Sequence, residues 1–212
     1  MAKPRPAAGG GRWLEVPPER LARWLDGFAE RHGGCSTEAG PRVVLLRGGD
    51  GARAECHVPF PPLEGDLVGH VSRDRRVGVL LVRLGGHACG VFEGDRLVAS
   101  KVGSRLVHGR SAAGGQSQQR FARRREGQAR EALRAAADTA ARVLAPRASE
   151  LAAVVCGGDR RAVDALRGDA RLAGVFALET GPFLAVPDPR LAVLTRTPAR
   201  FRAVRVRLVE PE

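Results

Sequence analysis

Lysine is almost missing from this chain of 212 residues: Lys3 and Lys101 stand alone among 35 basic residues. Arginine supplies the rest. With so much alanine and glycine, that choice fits a GC-rich coding sequence and by itself says little about function. Long apolar runs are also missing. Nothing approaches the roughly 20 consecutive apolar residues of a membrane span, which sets that class aside. The opening Met1-Ala2-Lys3-Pro4-Arg5-Pro6 has no apolar stretch suited to secretion and runs into Gly9-Gly10-Gly11, so 1–12 reads as a flexible tail. Cysteine is sparse. Cys35, Cys56, Cys89 and Cys156 lie far apart without a C-x-x-C pair, which argues against a disulfide framework or a structural zinc site. Reduced, buried thiols in a cytoplasm are the expectation. His87-x-Cys89 is the one conceivable ligand pair, but its spacing fits alternate faces of a strand at least as well, so no metal is expected.

Positive charge is what the chain has in excess. Thirty-five basic residues against 23 acidic give a formal net charge of +12 and a pI near 11.3. Such an excess favours a polyanionic partner, either nucleic acid or an acidic membrane surface. Hydrophobic residues at 43% and charged residues at 27% are those of a folded globular chain. The length suits one generous domain or one domain with an attached subdomain, large enough to bury a core without staples.

Pro17-Pro18 opens a helix whose apolar residues Leu21, Trp24, Leu25 and Phe28 recur at helical spacing until Gly33-Gly34. Strand-like runs follow at 43–47 and 52–58 around the turn Gly48-Gly49-Asp50-Gly51. Pro59-Phe60-Pro61-Pro62 then breaks regular structure, so 13–62 reads as a small N-terminal α/β subdomain. A main domain over 70–212 opens with apolar runs at 77–84, 87–93 and 96–102, divided by Gly85-Gly86 and Gly94-Asp95: an antiparallel meander. A long helix over 117–144, stopped by Pro146, comes next. After it come a strand at 151–156, a Gly157-Gly158-Asp159 turn and a short helix through Val163 and Leu166. A strand at 175–178, a helix over 190–197 and a terminal strand at 201–209 close the pattern. The expected fold is α/β (α+β), a mixed sheet with an antiparallel meander and flanking helices.

The chemistry concentrates in one stretch, His108-Gly109-Arg110-Ser111-Ala112-Ala113-Gly114-Gly115-Gln116-Ser117, and in the arginine-loaded helix it opens. Gly114 and Gly115 permit unusual backbone angles and close approach of the main chain to a bound group. Gln116 offers a donor and an acceptor but cannot titrate. It can orient a water or hydrogen-bond a developing oxyanion, and it is no conventional general base. Ser117 suits the helix N-cap. Small and apolar residues at Ala129, Ala132, Leu133, Ala136, Ala140, Val143 and Leu144 form one stripe. Arg120, Arg123, Arg124, Arg125, Arg130 and Arg134 lie mostly off it, against Glu126, Glu131 and Asp138. Such a ridge can track phosphates while the Gly-Gly-Gln tip reaches past a backbone end. The alanine-rich stripe does not suit a membrane surface.

A lone Gly-Gly-Gln is a weak signal. In its context, however, Gly114-Gly115-Gln116-Ser117-x-x-Arg120-Phe121-Ala122-Arg123-x-Arg125 resembles the peptide-release motif of the archaeal and eukaryotic class I release factors. His108-Gly109-Arg110 is similar to that family's approach to the loop, here lengthened by Ser111-Ala112-Ala113. The likeness covers roughly 77–209 and implies a ribonuclease-H-like release-factor middle domain. Over the length of this chain, the stop-codon-reading and GTPase-recruiting domains of full release factors are not expected. That pattern resembles the Vms-like release factors of ribosome quality control, in their actinobacterial branch.

The resemblance implies a codon-independent peptidyl-tRNA hydrolase. Gln116, with Gly115 and Gly114, would be catalytic, and Arg110, Arg120, Arg123, Arg124, Arg125 and Arg130 would hold RNA. The implied partners are the peptidyl-transferase centre of the large ribosomal subunit and peptidyl-tRNA; no cofactor, membrane contact or oligomeric state is implied. Two alternatives stay open: an endonuclease cutting tRNA near its 3′ CCA end, with His108 as acid or base, and a non-catalytic RNA-binding factor. A two-metal nuclease is disfavoured because the first main-domain strand carries no carboxylate. Cys156-Gly157-Gly158 lacks the marks of a nucleotide loop.

Overall fold

The computed structural model describes residues 5–83, 85–104 and 117–211, the stretch 117–125 for its backbone alone. The chain divides into two units, Met1–Asp74 with Pro198–Glu212, and Arg75–Thr197.

The first unit begins with a hairpin, β1 (Arg5–Pro6) and β2 (Arg12–Val16), where the sequence reading expects a tail. Three glycines at positive φ, Gly9, Gly10 and Gly11, close the turn, and Arg207 donates to the carbonyls of Gly9 and Gly10. The strand signal was present. Arg-Trp-Leu-Glu-Val alternates, with Leu14 and Val16 buried and Trp13 and Glu15 turned away. Helix α1 (Pro18–Arg31) follows as expected, burying Leu21 and Phe28 completely. It stops where Gly34 donates to the Ala29 carbonyl at 2.9 Å with φ of +98°, a turn that favours glycine. Then come β3 (Cys35–Ala39), β4 (Val43–Gly48), β5 (Arg53–His57) and a short helix α2 (Leu67–Ser72) capped by Asp66. Strand β3, exposed along its length, gave no alternation to read.

The second unit opens with the expected meander, β6 (Arg76–Arg83), β7 (Gly86–Glu93) and β8 (Arg96–Ser104). Helix α3 (Ser117–Val143) crosses back, a 3-10 turn (Ala145–Glu150) follows, and β9 (Ala153–Gly158) runs parallel to β6. The sheet order is β8-β7-β6-β9, a mixed sheet. Helix α4 (Arg160–Leu166) and a 3-10 turn (Ala170–Leu172) lead into α5 (Ala173–Phe176). Residues 175–178 were expected as a strand. Four apolar residues cannot decide the period; Leu172 and Val175, three apart and fully buried, have helical spacing. The helix expected over 190–197 shortens to α6 (Leu191–Leu194).

The chain then returns to the first unit through α7 (Pro198–Phe201) and β10 (Val204–Val209). Phe201, expected to begin the strand, closes α7 instead. Expected within the main domain over 70–212, the terminal strand lies between β2 and β5 in a six-stranded sheet, order β1-β2-β10-β5-β4-β3. Val204, Val206 and Leu208 enter the core with Leu14, Val16, Cys56, Val44 and the apolar faces of α1 and α2. Of the four cysteines, Cys56, Cys89 and Cys156 are buried, and burial pushes the Cys56 and Cys156 thiols up to about 12. Cys35 departs from the expectation and is exposed on β3.

Gly158 ends β9 with φ of +101°, and a Cβ there would lie 2.1 Å from the Val82 carbonyl oxygen. Its neighbour Asp159 donates to that same carbonyl at 2.8 Å and caps α4. Gly158→Ala is therefore expected to cost about 2–3 kcal/mol, combining a backbone clash with a disfavoured φ. Urea denaturation of the purified chain measures it; an unchanged midpoint would contradict the close approach.

Candidate functional site

Helix α3 dominates the second unit. Its C-terminal half buries Ala136, Ala137, Ala140, Val143 and Leu144 against Leu80, Val82, Cys89, Val91 and Val154 of the sheet. Leu144 sits over Gly78, where a Cβ would lie 3.3 Å from its side chain. Thr139 lies further along the sheet, its Oγ1 2.9 Å from His87 Nε2, and His87 pairs with Val82 near the end of β6. Going from Leu144 to Thr139, the helix thus heads for the C-terminal end of β6. Beyond Ala136 its residues 126–135 are exposed or half-buried. Residues 117–135 make about 28 Å of helix running toward that end, with Leu133 still packed on the core. Strand β8 finishes at that same end, Ser104 opposite Gly86. The chain segment between Ser104 and Ser117 is therefore flanked by a strand that ends there and a helix that runs toward the same end.

The predicted residues Gly114, Gly115 and Gln116, with His108 and Arg110, lie outside the described residues. For Arg120, Arg123, Arg124 and Arg125 only the helical backbone is described. Helical spacing places positions 120, 123 and 124 on the side shared with 130 and 134, opposite the buried stripe, and position 125 toward the stripe. Arg130 and Arg134 are exposed, and among the described residues neither has an acidic partner. Asp138, one of three acids counted against the ridge, is engaged by Arg171 at 2.8 Å. Its charge is neutralised from off the helix, which leaves the exposed side more cationic. The excess charge also has an address: 75–197 holds 21 basic and 11 acidic residues, the rest of the chain 14 and 12.

By its spacing alone His87 offers only a possible ligand, on a face alternate to Cys89. Residues two apart in a strand share a face, and both turn toward α3. His87 acts as an anchor for the helix. Gly103 makes room for it, since a Cβ there would lie 2.5 Å from the imidazole. The signal for this role is a buried polar residue in a strand facing a helix; its partner Thr139, 52 residues away, could not be read locally.

Burial lowers the His87 pKa, so the ring is held neutral in the fold and the unfolded chain binds the proton more readily. The stability this contributes is fully present above the unfolded value of about 6.5 and is lost as pH falls through the lower folded value. The chain should therefore melt at lower temperature at pH 5 than at pH 7.5, and His87→Gln should flatten that slope. His57, held neutral by burial and by neighbouring Arg205, leaves a residual slope of the same sign. Melting curves across pH decide it: an unaltered slope in His87→Gln contradicts the account.

Among the described residues no helix is long and apolar enough to cross a membrane. A long arginine-bearing helix set on a mixed sheet, following a Gly-Gly-Gln segment, has the makings of a release factor, and residues 75–207 match a family of that class. The family is described as Actinobacteria/chloroflexi VLRF1 release factor, and the chain belongs to it. The match starts where the second unit starts and covers more than half of the sequence. No curated protein matches the chain. Among solved structures it is similar to the crystal structure of an archaeal translation termination factor, aRF1, at 16% identity and a TM-score of 0.46. That likeness covers 90% of this chain and 66% of the archaeal one.

Proposed function

We propose that the chain is a codon-independent peptidyl-tRNA hydrolase that frees nascent peptides on stalled ribosomes. Membership of a release-factor family supports the ribosome and peptidyl-tRNA as partners. The observation that carries the reading is the direction of α3. A helix that opens immediately after Gln116 and runs from there onto the core at the end of the sheet where β8 stops suits a probe entering a narrow site. Its exposed arginines can follow RNA phosphates into the large-subunit peptidyl-transferase centre. Gln116 then orients a water toward the ester carbonyl carbon. The water oxygen bonds to that carbon, the bond to the terminal ribose oxygen breaks, and that oxygen takes a proton. The products are a free peptide carboxylate and a tRNA with an intact 3′ end. Gln116 cannot exchange protons, so proton transfer falls to the ribosome and the neighbouring ribose hydroxyl.

The test is to incubate purified protein with ribosomes carrying peptidyl-tRNA and to analyse both peptide and tRNA. Free peptide with full-length tRNA is the expected result. A tRNA shortened at its 3′ end would replace ester hydrolysis by cleavage of the CCA end, and binding without either product would leave an RNA-binding factor.

A further inference from the structure

We propose that the outward face of the first unit's six-stranded sheet binds single-stranded RNA. A Trp13–Arg205 stack would receive an unpaired base, and Arg53 and Arg47 the adjoining phosphates. One face of this sheet is packed with α1 and α2. On the other face, register sets Glu15, Arg205, His57 and Val43 in one row across β2, β10, β5 and β4. Trp13, Arg207, Glu55 and Leu45 form the next row, with Arg5 of β1 opposite Trp13, and Val209, Arg53 and Arg47 the third.

Three features point to a ligand. First, the exposed Arg205 guanidinium lies 4.7 Å from the centre of the Trp13 ring, so its position is fixed before anything binds and its outer side faces solvent. A guanidinium plane held this way is a platform for an unstacked base. Second, Arg47 and Arg53 stand directly opposite each other in the β4–β5 ladder, both exposed. Like charges in that relation destabilise a sheet. Arg47 reaches Glu38 only at 3.7 Å, and Arg53 has no acidic partner among the described residues. A phosphate between the two relieves the repulsion. Third, the His57 ring packs against Trp13, with centroids 5.2 Å apart, so the indole is braced on the sheet face before anything binds.

The acids on this face do not cancel it. Arg207 engages Glu55 at 3.3 Å, Glu38 lies toward Arg47, and Glu15 sits beside Arg205, which leaves Arg5 and Arg53 in excess. A single strand suits the surface better than a duplex. The stack needs a free base face, and four strands span about 14 Å, room for two or three bases.

The chain has two tryptophans, so the conservative Trp24→Phe variant makes Trp13 the only emitter. Titrated with a ten-nucleotide single-stranded RNA of A and U, its emission should fall saturably. Adding Arg205→Gln and Arg53→Gln, both at exposed positions, should weaken the midpoint about tenfold, the scale of one stacked base plus a phosphate contact. The proposal is overturned if emission stays constant while the RNA is bound, if an RNA duplex quenches equally, or if polyaspartate reproduces the response. Gln116→Ala should leave the quench intact. Absence of peptide release by the unaltered chain with the quench present counts against the loop alone, and absence of the quench with release present counts against this surface alone.

Discussion

Replacing Gln116 by alanine should reduce peptide release by about 10²-fold or more, the scale on which removal of one positioned amide donor acts at a hydrolytic centre. Ribosome affinity should change by less than about twofold, because in the proposed mechanism the amide would meet the reacting atoms while the arginines would supply attachment. The variant keeps both glycines and all cations, so any loss belongs to the side chain. Single-turnover release from peptidyl-tRNA on ribosomes, at saturating protein, separates the two effects. Release that persists would move the water-positioning group elsewhere. Loss of release and affinity together, with the melting temperature unchanged, would give Gln116 a contact role. The chemistry predicts one further detail. A non-titrating group gives no ionisation of its own, so the pH dependence of any residual release should match that of the unaltered protein.

The parts of this molecule that were legible in its sequence are those written in local pattern. The meander could be read because Gly85-Gly86 and Gly94-Asp95 divide three apolar runs, and all three became adjacent strands. Helix α3 could be read because small and apolar residues recur at helical spacing from Ala129 to Leu144, over about four turns. What stayed hidden was pairing at a distance. Strand β10 carries an ordinary alternation that any half-buried sheet would accept, and nothing in it names β2 and β5, nearly two hundred and about a hundred and fifty residues away, as its neighbours. The same limit explains His87, whose meaning depends on Thr139, and the Arg47–Arg53 opposition, visible only once register is known. The catalytic candidates were legible for the opposite reason. Gly114, Gly115 and Gln116 are contiguous and lie beside a run of arginines, so their chemistry needed no tertiary knowledge to be noticed.

Exchanging Arg123, Arg124, Arg130 and Arg134 together for glutamine should lower ribosome affinity by roughly 10³-fold at 0.1 M salt, the largest binding effect anticipated for this chain. Each arginine on a phosphate releases condensed cations, so the slope of log affinity against log salt should become shallower by about three to four. Helical spacing sets all four positions away from the stripe that buries Ala136, Ala140 and Leu144, and Arg130 and Arg134 are exposed. Glutamine keeps helix propensity close to that of arginine, which removes charge without breaking the helix. Exchanging Arg160, Arg161, Arg190 and Arg196, four arginines exposed elsewhere in the same unit, controls for net charge and should change the slope by less than one. Nitrocellulose or sedimentation binding from 0.05 to 0.5 M salt measures both. If the two sets of substitutions shift the slope alike, attraction is a property of the whole unit's charge and α3 is no guide rail. If only the helix set does, saturating concentrations of that variant should still release peptide at the unaltered maximal rate, because Gln116 remains and only its delivery has been weakened.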